Sequence, residues 1–217
     1  MRRSHRALRL LPAGLLSAAG FTAAVPPAHA AGEQVTAWLT TTDDSAGRHV
    51  FTGASFTDTA AWLFGSSGAL SQATRDATMR KLFSPTDGIG LSFLRNPMGA
   101  SDLARHGCTY DDVPAGQTDP SLSRFSIAHD LADVVPLTRQ ALQLVPSLTV
   151  MASPWTAPAW MKDSGSLNGG RLKAEDYGAY ASYFVKYLQE YRDQGVDVSY
   201  VTPQNEPTCC RGSSPRA

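Results

Sequence analysis

The first residues that could take part in catalysis are a carboxylate and a neighbouring amide near the end of the chain. Asn205, Glu206 and Pro207 directly follow an apolar run over residues 197–204. A glutamate at the end of a buried strand can act as a general acid or base, and a neighbouring asparagine can hydrogen-bond a hydroxyl group. The alternative is a plain turn, because proline restricts the residue before it to extended geometry.

Two tryptophans follow an earlier apolar run. Trp155 comes directly after Ser153-Pro154, and Trp160 lies five residues further on. The face of an indole ring stacks well on the apolar face of a sugar ring, whereas a large apolar side chain is also commonly a core residue. Both interpretations stay open for Trp155, and the core interpretation is favoured for Trp160.

Polar side chains also follow the first two apolar runs. Asp58 could accept hydrogen bonds from sugar hydroxyls, or it could cap a helix. Arg95 could hold a carboxylate in its ionised form, or it could form a structural ion pair. All four runs therefore end in a polar or aromatic group, and this coincidence is more informative than any single motif.

These groups need elements that bring them together. Four short apolar runs, each bounded by Gly, Pro, Ser or Asp, predict β-strands over residues 49–55, 89–95, 147–153 and 197–204. Helical patterns between them predict a parallel α/β sheet. In such a sheet the loops that follow the strands meet at one edge, which is where chemistry occurs in α/β barrels.

Three helices are predicted between the strands. The first is capped by Ser71 and runs to Phe83, and the second covers residues 128–144 with an interruption at Pro136. The third carries a stripe with the 3.6-residue period and ends before Gly195, a typical helix-terminating glycine. The residues of this stripe are Tyr177, Tyr180, Phe184, Leu188 and Tyr191.

Charge is distributed unevenly along the 217 residues. Four arginines and no acidic residue precede residue 31, so the first 30 residues carry +4, while the other 15 basic and 19 acidic residues give −4. A basic start, a short apolar stretch and the small residues Ala28 and Ala30 form the pattern of a secretory signal peptide. We therefore expect residues 1–30 to be removed and the protein to be secreted, without an integral membrane segment. The mildly acidic remainder argues against nucleic-acid binding.

Three cysteines leave their pairing open. Cys108 could form a disulfide with Cys209 or Cys210, but the sequence does not define the distances between them. No cysteine or histidine spacing typical of a metal site is present.

Five segments together resemble glycoside hydrolase family 30, the family of glucosylceramidase and related β-glycanases. They are residues 53–63, 91–103, 151–162, 172–191 and 201–207. Asn-Glu-Pro alone recurs in many related barrel enzymes, but the ordered set with these spacings is specific.

The resemblance implies a (β/α)8 barrel and retaining hydrolysis of β-glycosidic bonds, without metal or organic cofactor. Glu206 matches the family's acid/base, Asn205 matches the residue that contacts the sugar 2-hydroxyl, and Trp155 and Asp58 match sugar-binding positions. Arg95 matches an active-site arginine. The substrate would be a carbohydrate or glycolipid.

The resemblance covers only about four β-α units, the first half of such a barrel. We expect residues 31–207 to be a partial barrel domain truncated after the fourth strand, and residues 208–217 to be a divergent, disordered tail. The family's nucleophile glutamate would then be absent, so we expect an inactive chain that forms homo-oligomers or aggregates through its open edges.

Two classes of function remain open. One is a glycosidase acting on glucosylceramide, β-1,6-glucan, β-1,6-galactan or xylan. The other is a non-catalytic carbohydrate-binding fragment or pseudogene product.

Overall fold

The computed structural model describes residues 53–206, in which strands and helices alternate. The strands are β1 (Gly53–Ala54), β2 (Phe93–Met98), β3 (Thr149–Pro154) and β4 (Tyr200–Val201). The helices are α1 (Asp58–Phe64), α2 (Gln72–Phe83), α3 (Val134–Leu144) and α4 (Tyr177–Asp193), with short 3-10 turns at Ala159–Met161 and Ala174–Asp176.

The strands form one sheet in the order β1-β2-β3-β4, and every pairing is parallel. The β2–β3 pair is the longest, running in register from Phe93 opposite Thr149 to Met98 opposite Pro154. This confirms the predicted parallel α/β sheet. All four strands therefore end at the same edge.

Side chains of β2 alternate between the two faces of the sheet. Leu94, Asn96 and Met98 are buried, whereas Arg95 is exposed on the opposite face. Leu94 joins a core formed with α1, α2 and α3, and Met98 joins a second core formed with α4. Arg95 is consequently available on the face that does not pack against the helices.

Helix α4 confirms the third predicted helix, but its buried face differs from the predicted stripe. Tyr180 and Tyr191 are buried as predicted, but Tyr177 is 59% exposed. Tyr183 and Tyr187, which the predicted stripe does not contain, are fully buried. The face is rotated because α4 also packs against the β2–α3 loop, where Tyr110 stacks on Tyr183 and Tyr187 with ring centroids 5.9 and 5.6 Å apart.

The second strand begins four residues later than predicted. The backbone N–H groups of Ile89 and Leu91 donate to the carbonyls of Lys81 and Leu82 near the end of α2. This segment is therefore hydrogen-bonded to the end of the helix, and the strand begins only after it. The third strand is shifted by one or two residues. The fourth is confined to two of the eight predicted positions, and residues 49–52 of the first predicted strand lie outside the described residues.

Two helices begin at positions that differ from the predictions made from the sequence. Helix α1 was not predicted, and its N-cap is Thr57, whose Oγ1 accepts from the Ala60 N–H at 3.4 Å. Helix α3 begins at Val134 rather than 128, which places Pro136 in the first turn, where its missing N–H costs no intrahelical bond. The predicted cap at Ser71 is confirmed, as is the left-handed Gly195 after α4, with φ +76°.

Across residues 53–206, no helix combines the length and apolar character needed to cross a bilayer. Cys108 forms no disulfide within this part of the chain, and Cys209 and Cys210 lie outside it. The predicted signal peptide and tail also lie outside it.

Candidate active site

Arg95 connects three strands at the carboxyl edge of the sheet. From the exposed face of β2, its Nη2 donates to the Ser153 Oγ at 2.9 Å and to the Asn205 Oδ1 at 2.7 Å. The Thr202 Oγ1, just after β4, donates to the same Ser153 Oγ at 2.6 Å. These four side chains form a continuous polar chain, which we call the edge cluster.

One expectation for Arg95 is corrected, because it was expected to end a strand but is the third residue of β2. Its hydrogen-bond partners among the described residues are a hydroxyl and an amide. A contact between Arg95 and a carboxylate stays a prediction. The next residue, Asn96, turns into the core, where it accepts from the Phe56 N–H and donates to the Thr138 Oγ1, both at 3.0 Å.

Asn205 and Glu206 lie beside the end of β3. The Asn205 N–H donates to the Pro154 carbonyl at 2.8 Å, which fixes the chain where it leaves β4. Glu206 is exposed, and its φ of +44° is in the left-handed region, which glutamate rarely adopts, rather than in the extended region expected before proline. Such backbone strain is frequent at functional sites.

The backbone of Trp155 is joined to the same segment. The Gln204 Nε2 donates to the Trp155 carbonyl at 2.6 Å, and the Trp155 side chain is half-buried. Trp160 is a core residue, as favoured from the sequence, and its Nε1 donates to the Asp111 Oδ2 at 2.9 Å. Of the two tryptophans, Trp155 is therefore the one adjoining Asn205 and Glu206.

Asp58 occupies a different environment from the one expected at a strand end. It is the first residue of α1, is only 4% exposed, and accepts from the backbone N–H, Nε and Nη2 of Arg105 at 2.7–2.9 Å. The side-chain hydrogen bonds from Arg105 lower the pKa of this carboxyl to about 2. Both oxygens are thus occupied, and a sugar-binding role for Asp58 stays a prediction.

The sequence analysis missed Ser153 and Thr202 as members of the site. Ser153 was noted only as the residue that starts Ser-Pro-Trp, and Thr202 only as part of a strand. Strand alternation would have placed Ser153 on the face of Arg95, since Arg95 pairs with Met151 and Pro97 with Ser153. Within residues 53–206, no cluster of His, Cys, Asp or Glu could hold a metal ion.

A family model matches residues 36–216 and is described as the glycosyl hydrolase family 30 TIM-barrel domain. The chain belongs to this family. The four parallel strands are accordingly part of an α/β barrel.

Individual members of glycosyl hydrolase family 30 agree with this assignment. The chain is 38% identical over 163 residues to putative glucosylceramidase 4 of Caenorhabditis elegans, covering 72% of this chain and 30% of that protein. It is 35% identical over 190 residues to the endo-1,6-beta-D-glucanase neg1 of Aspergillus fumigatus, covering 78% and 38%. The crystal structure of SrfJ from Salmonella typhimurium superposes with a TM-score of 0.66 at 34% identity, covering 72% of this chain and 34% of that one. The chain thus spans about a third of the length of these family 30 relatives.

Proposed function

We propose that the chain is part of a secreted retaining β-glycosidase in which Glu206 is the acid/base. The observation that carries this proposal is the edge cluster, in which Arg95 fixes Asn205 directly beside Glu206. An exposed carboxylate at the carboxyl edge of a parallel sheet, next to an oriented amide, is suited to bind a sugar and transfer a proton to it.

In the proposed reaction, Glu206 protonates the glycosidic oxygen as the leaving group departs. A second carboxylate attacks the anomeric carbon from roughly 5–5.5 Å away, and Glu206 then deprotonates the water that releases the sugar. We infer that this nucleophile lies outside residues 53–206, because Asp58, the other carboxylate assigned to the site, is engaged by Arg105.

We propose Trp155 as the stacking surface for the sugar. The Gln204 Nε2 donates a hydrogen bond to the Trp155 carbonyl, which fixes the backbone that carries the indole ring next to Asn205. A rigid aromatic ring gives a sugar apolar contact area at low entropic cost.

We propose a β-linked glucosyl unit as the substrate group. This proposal rests on the names of the two relatives, a glucosylceramidase and an endo-1,6-beta-D-glucanase, which share that unit. Glucosylceramide and β-1,6-glucan are therefore the first substrates to assay, followed by β-1,6-galactan and xylan.

The test is turnover of these substrates by the complete polypeptide that carries this sequence, with Glu206→Gln as the variant. Loss of a general acid is expected to reduce turnover about 10²–10⁴-fold on substrates with poor leaving groups, and much less on aryl glucosides with activated leaving groups. Glu190→Gln, an exposed glutamate on α4, is the matched control. Equal and small effects of Glu206→Gln on both kinds of substrate would contradict the assignment, and sugar binding without turnover would favour a carbohydrate-binding protein.

Secretion is proposed on the charge and small-residue pattern of residues 1–30. Amino-terminal sequencing of the exported protein is expected to begin at Ala31. A membrane-bound product that begins at Met1 would contradict this.

A further inference from the structure

Arg95 must cross a strand to reach Asn205. It starts on β2, passes over β3 and meets the segment that follows β4, and neighbouring strands are about 4.8 Å apart. A long arginine side chain loses considerable conformational freedom when it is fixed in one extended geometry. A single hydrogen bond to Asn205 would have to offset this loss alone.

Ser153 supports the guanidinium midway across the sheet. Its Oγ, on a side chain only 2% exposed, accepts from the Arg95 Nη2 at 2.9 Å and from the Thr202 Oγ1 at 2.6 Å. Thr202 in turn is held by its backbone N–H, which donates to the Ala152 carbonyl. The two hydroxyls therefore connect the guanidinium to the backbone of β3 and β4.

The guanidinium determines which end of the Asn205 amide is available. Arginine only donates, so the amide atom that faces Arg95 must be the oxygen. The Asn205 Nδ2, which donates, is then left to point elsewhere and can offer its hydrogens to a sugar oxygen.

We propose that Ser153 and Thr202 are positioning residues, which hold Arg95 across β3 so that Asn205 presents its amide nitrogen to the substrate. This proposal rests on the proposed function for the role of the sugar, but the orientation of the amide can be tested without it.

The chain contains three asparagines, Asn96, Asn168 and Asn205, so selective ¹⁵N-asparagine labelling of the full chain gives three side-chain amide signals. Asn205→Asp identifies the signal of interest. Asn96 is a buried reference bonded to Thr138, and Asn168 is an exposed one. In the unmodified protein we expect the Asn205 amide to be well ordered, because Arg95 holds its oxygen.

Ser153→Ala and Thr202→Val each remove one hydroxyl from the edge cluster. Both variants are expected to shift the Asn205 amide signal and to increase the mobility of this amide, while the Asn96 signal stays in place. Thr202→Ser, which keeps the hydroxyl, is expected to give the Asn205 signal of the unmodified protein. Thr149→Val is the matched control, because Thr149 lies on the same strand and its hydroxyl makes no hydrogen bond within the described residues. In the glycosidase assay, kcat/KM is expected to fall about tenfold for Ser153→Ala and about threefold for Thr202→Val.

An Asn205 signal that is unchanged in both variants would overturn the proposal. So would a joint change of the Asn96 and Asn205 signals with a large fall in melting temperature, which would make the hydroxyls structural only. The amide measurement needs no turnover. Failure of hydrolysis with Glu206 intact would therefore count against the proposed function alone.

Discussion

Asp111 is a fully buried carboxyl with a single side-chain donor. The Trp160 Nε1 donates to its Oδ2, while Oδ1 has no partner among the described residues. Burial, reinforced by the nearby Asp119 and Asp112, raises the pKa of Asp111 to about 6, although the Trp160 bond opposes this shift. A folded-state pKa above the unfolded value of 3.8 means that the folded protein gains stability as pH falls from about 6 toward 4.

Asp111→Asn is accordingly expected to stabilise the protein at pH 7 by about 1–2 kcal/mol, because it removes the buried charge and leaves an oxygen for Trp160. It should also flatten the change in unfolding free energy between pH 4 and 6. Urea unfolding at pH 4, 5, 6 and 7 measures both effects, and Asp193→Asn, at an exposed position at the end of α4, is the control. Parallel pH profiles for Asp111→Asn and the unmodified protein would refute the expectation.

His129 lies between two carboxylates. Its Nδ1 is 3.0 Å from the Asp130 Oδ1, and its Nε2 is 3.2 Å from the Asp58 Oδ1. The hydrogen bond with Asp130, followed by the one with Cys108, raises the pKa of His129 to about 10. Its contribution to stability is therefore complete below pH 6.5 and is lost as pH rises toward 10.

His129→Gln is expected to lower the unfolding free energy at pH 6 by roughly 1–3 kcal/mol, because a charged group that hydrogen-bonds Asp130 and forms an ion pair with Asp58 is lost. The difference from the unmodified protein should shrink between pH 7 and 10. Denaturant unfolding across this range measures it, with His106→Gln as the control. A constant difference across the range would mean that His129 is not charged in the folded state.

At the scale of elements, helix α4 offers a matched pair of glycines. Gly195 follows the helix with φ +76°, a left-handed conformation that alanine adopts with strain, whereas Gly178 lies in the first turn with open space where a Cβ would be. We expect Gly195→Ala to lower the unfolding free energy by about 1 kcal/mol and Gly178→Ala to raise it by up to about 1 kcal/mol. Thermal melts of the two variants check this, and effects of the same sign would contradict the conformational argument.

The sequence was sufficient for the features that depend on local chemistry. The Ser71 cap, the Gly195 terminus and the parallel order of four strands follow from turn chemistry and apolar runs. Strand boundaries depended on tertiary hydrogen bonds, such as those that hold Ile89 and Leu91 at the end of α2. The same holds for the site, where Arg95 and Asn205 were predicted but Ser153 joins them only because β3 lies between their strands.

At the scale of the whole molecule, β4 is an outer strand of the described sheet, with a neighbouring strand on one side only within residues 53–206. It also carries exposed apolar side chains. Tyr200 is 61% exposed and Val201 is 40% exposed. An uncovered apolar edge favours pairing with another chain.

We expect the 217-residue chain expressed alone to self-associate, and Tyr200→Lys to shift the equilibrium toward monomer. Tyr177→Lys is the matched control, because Tyr177 is similarly exposed, at 59%, but lies on α4 away from the sheet. Sedimentation equilibrium at several protein concentrations measures the association. A monomer at all concentrations, or equal effects of the two variants, would contradict the role of the edge.

The tyrosine-rich face of α4 also gives the molecule an internal optical probe. Burial raises the pKa of Tyr110, Tyr180, Tyr183, Tyr187 and Tyr191 above that of a free phenol, and two of them donate to Asp130. In an alkaline titration these five tyrosines should give no phenolate absorbance until the structure opens, and they should then ionise together. These five buried tyrosines would thus report the opening of this core as a single step in near-ultraviolet absorbance, without any added dye or label.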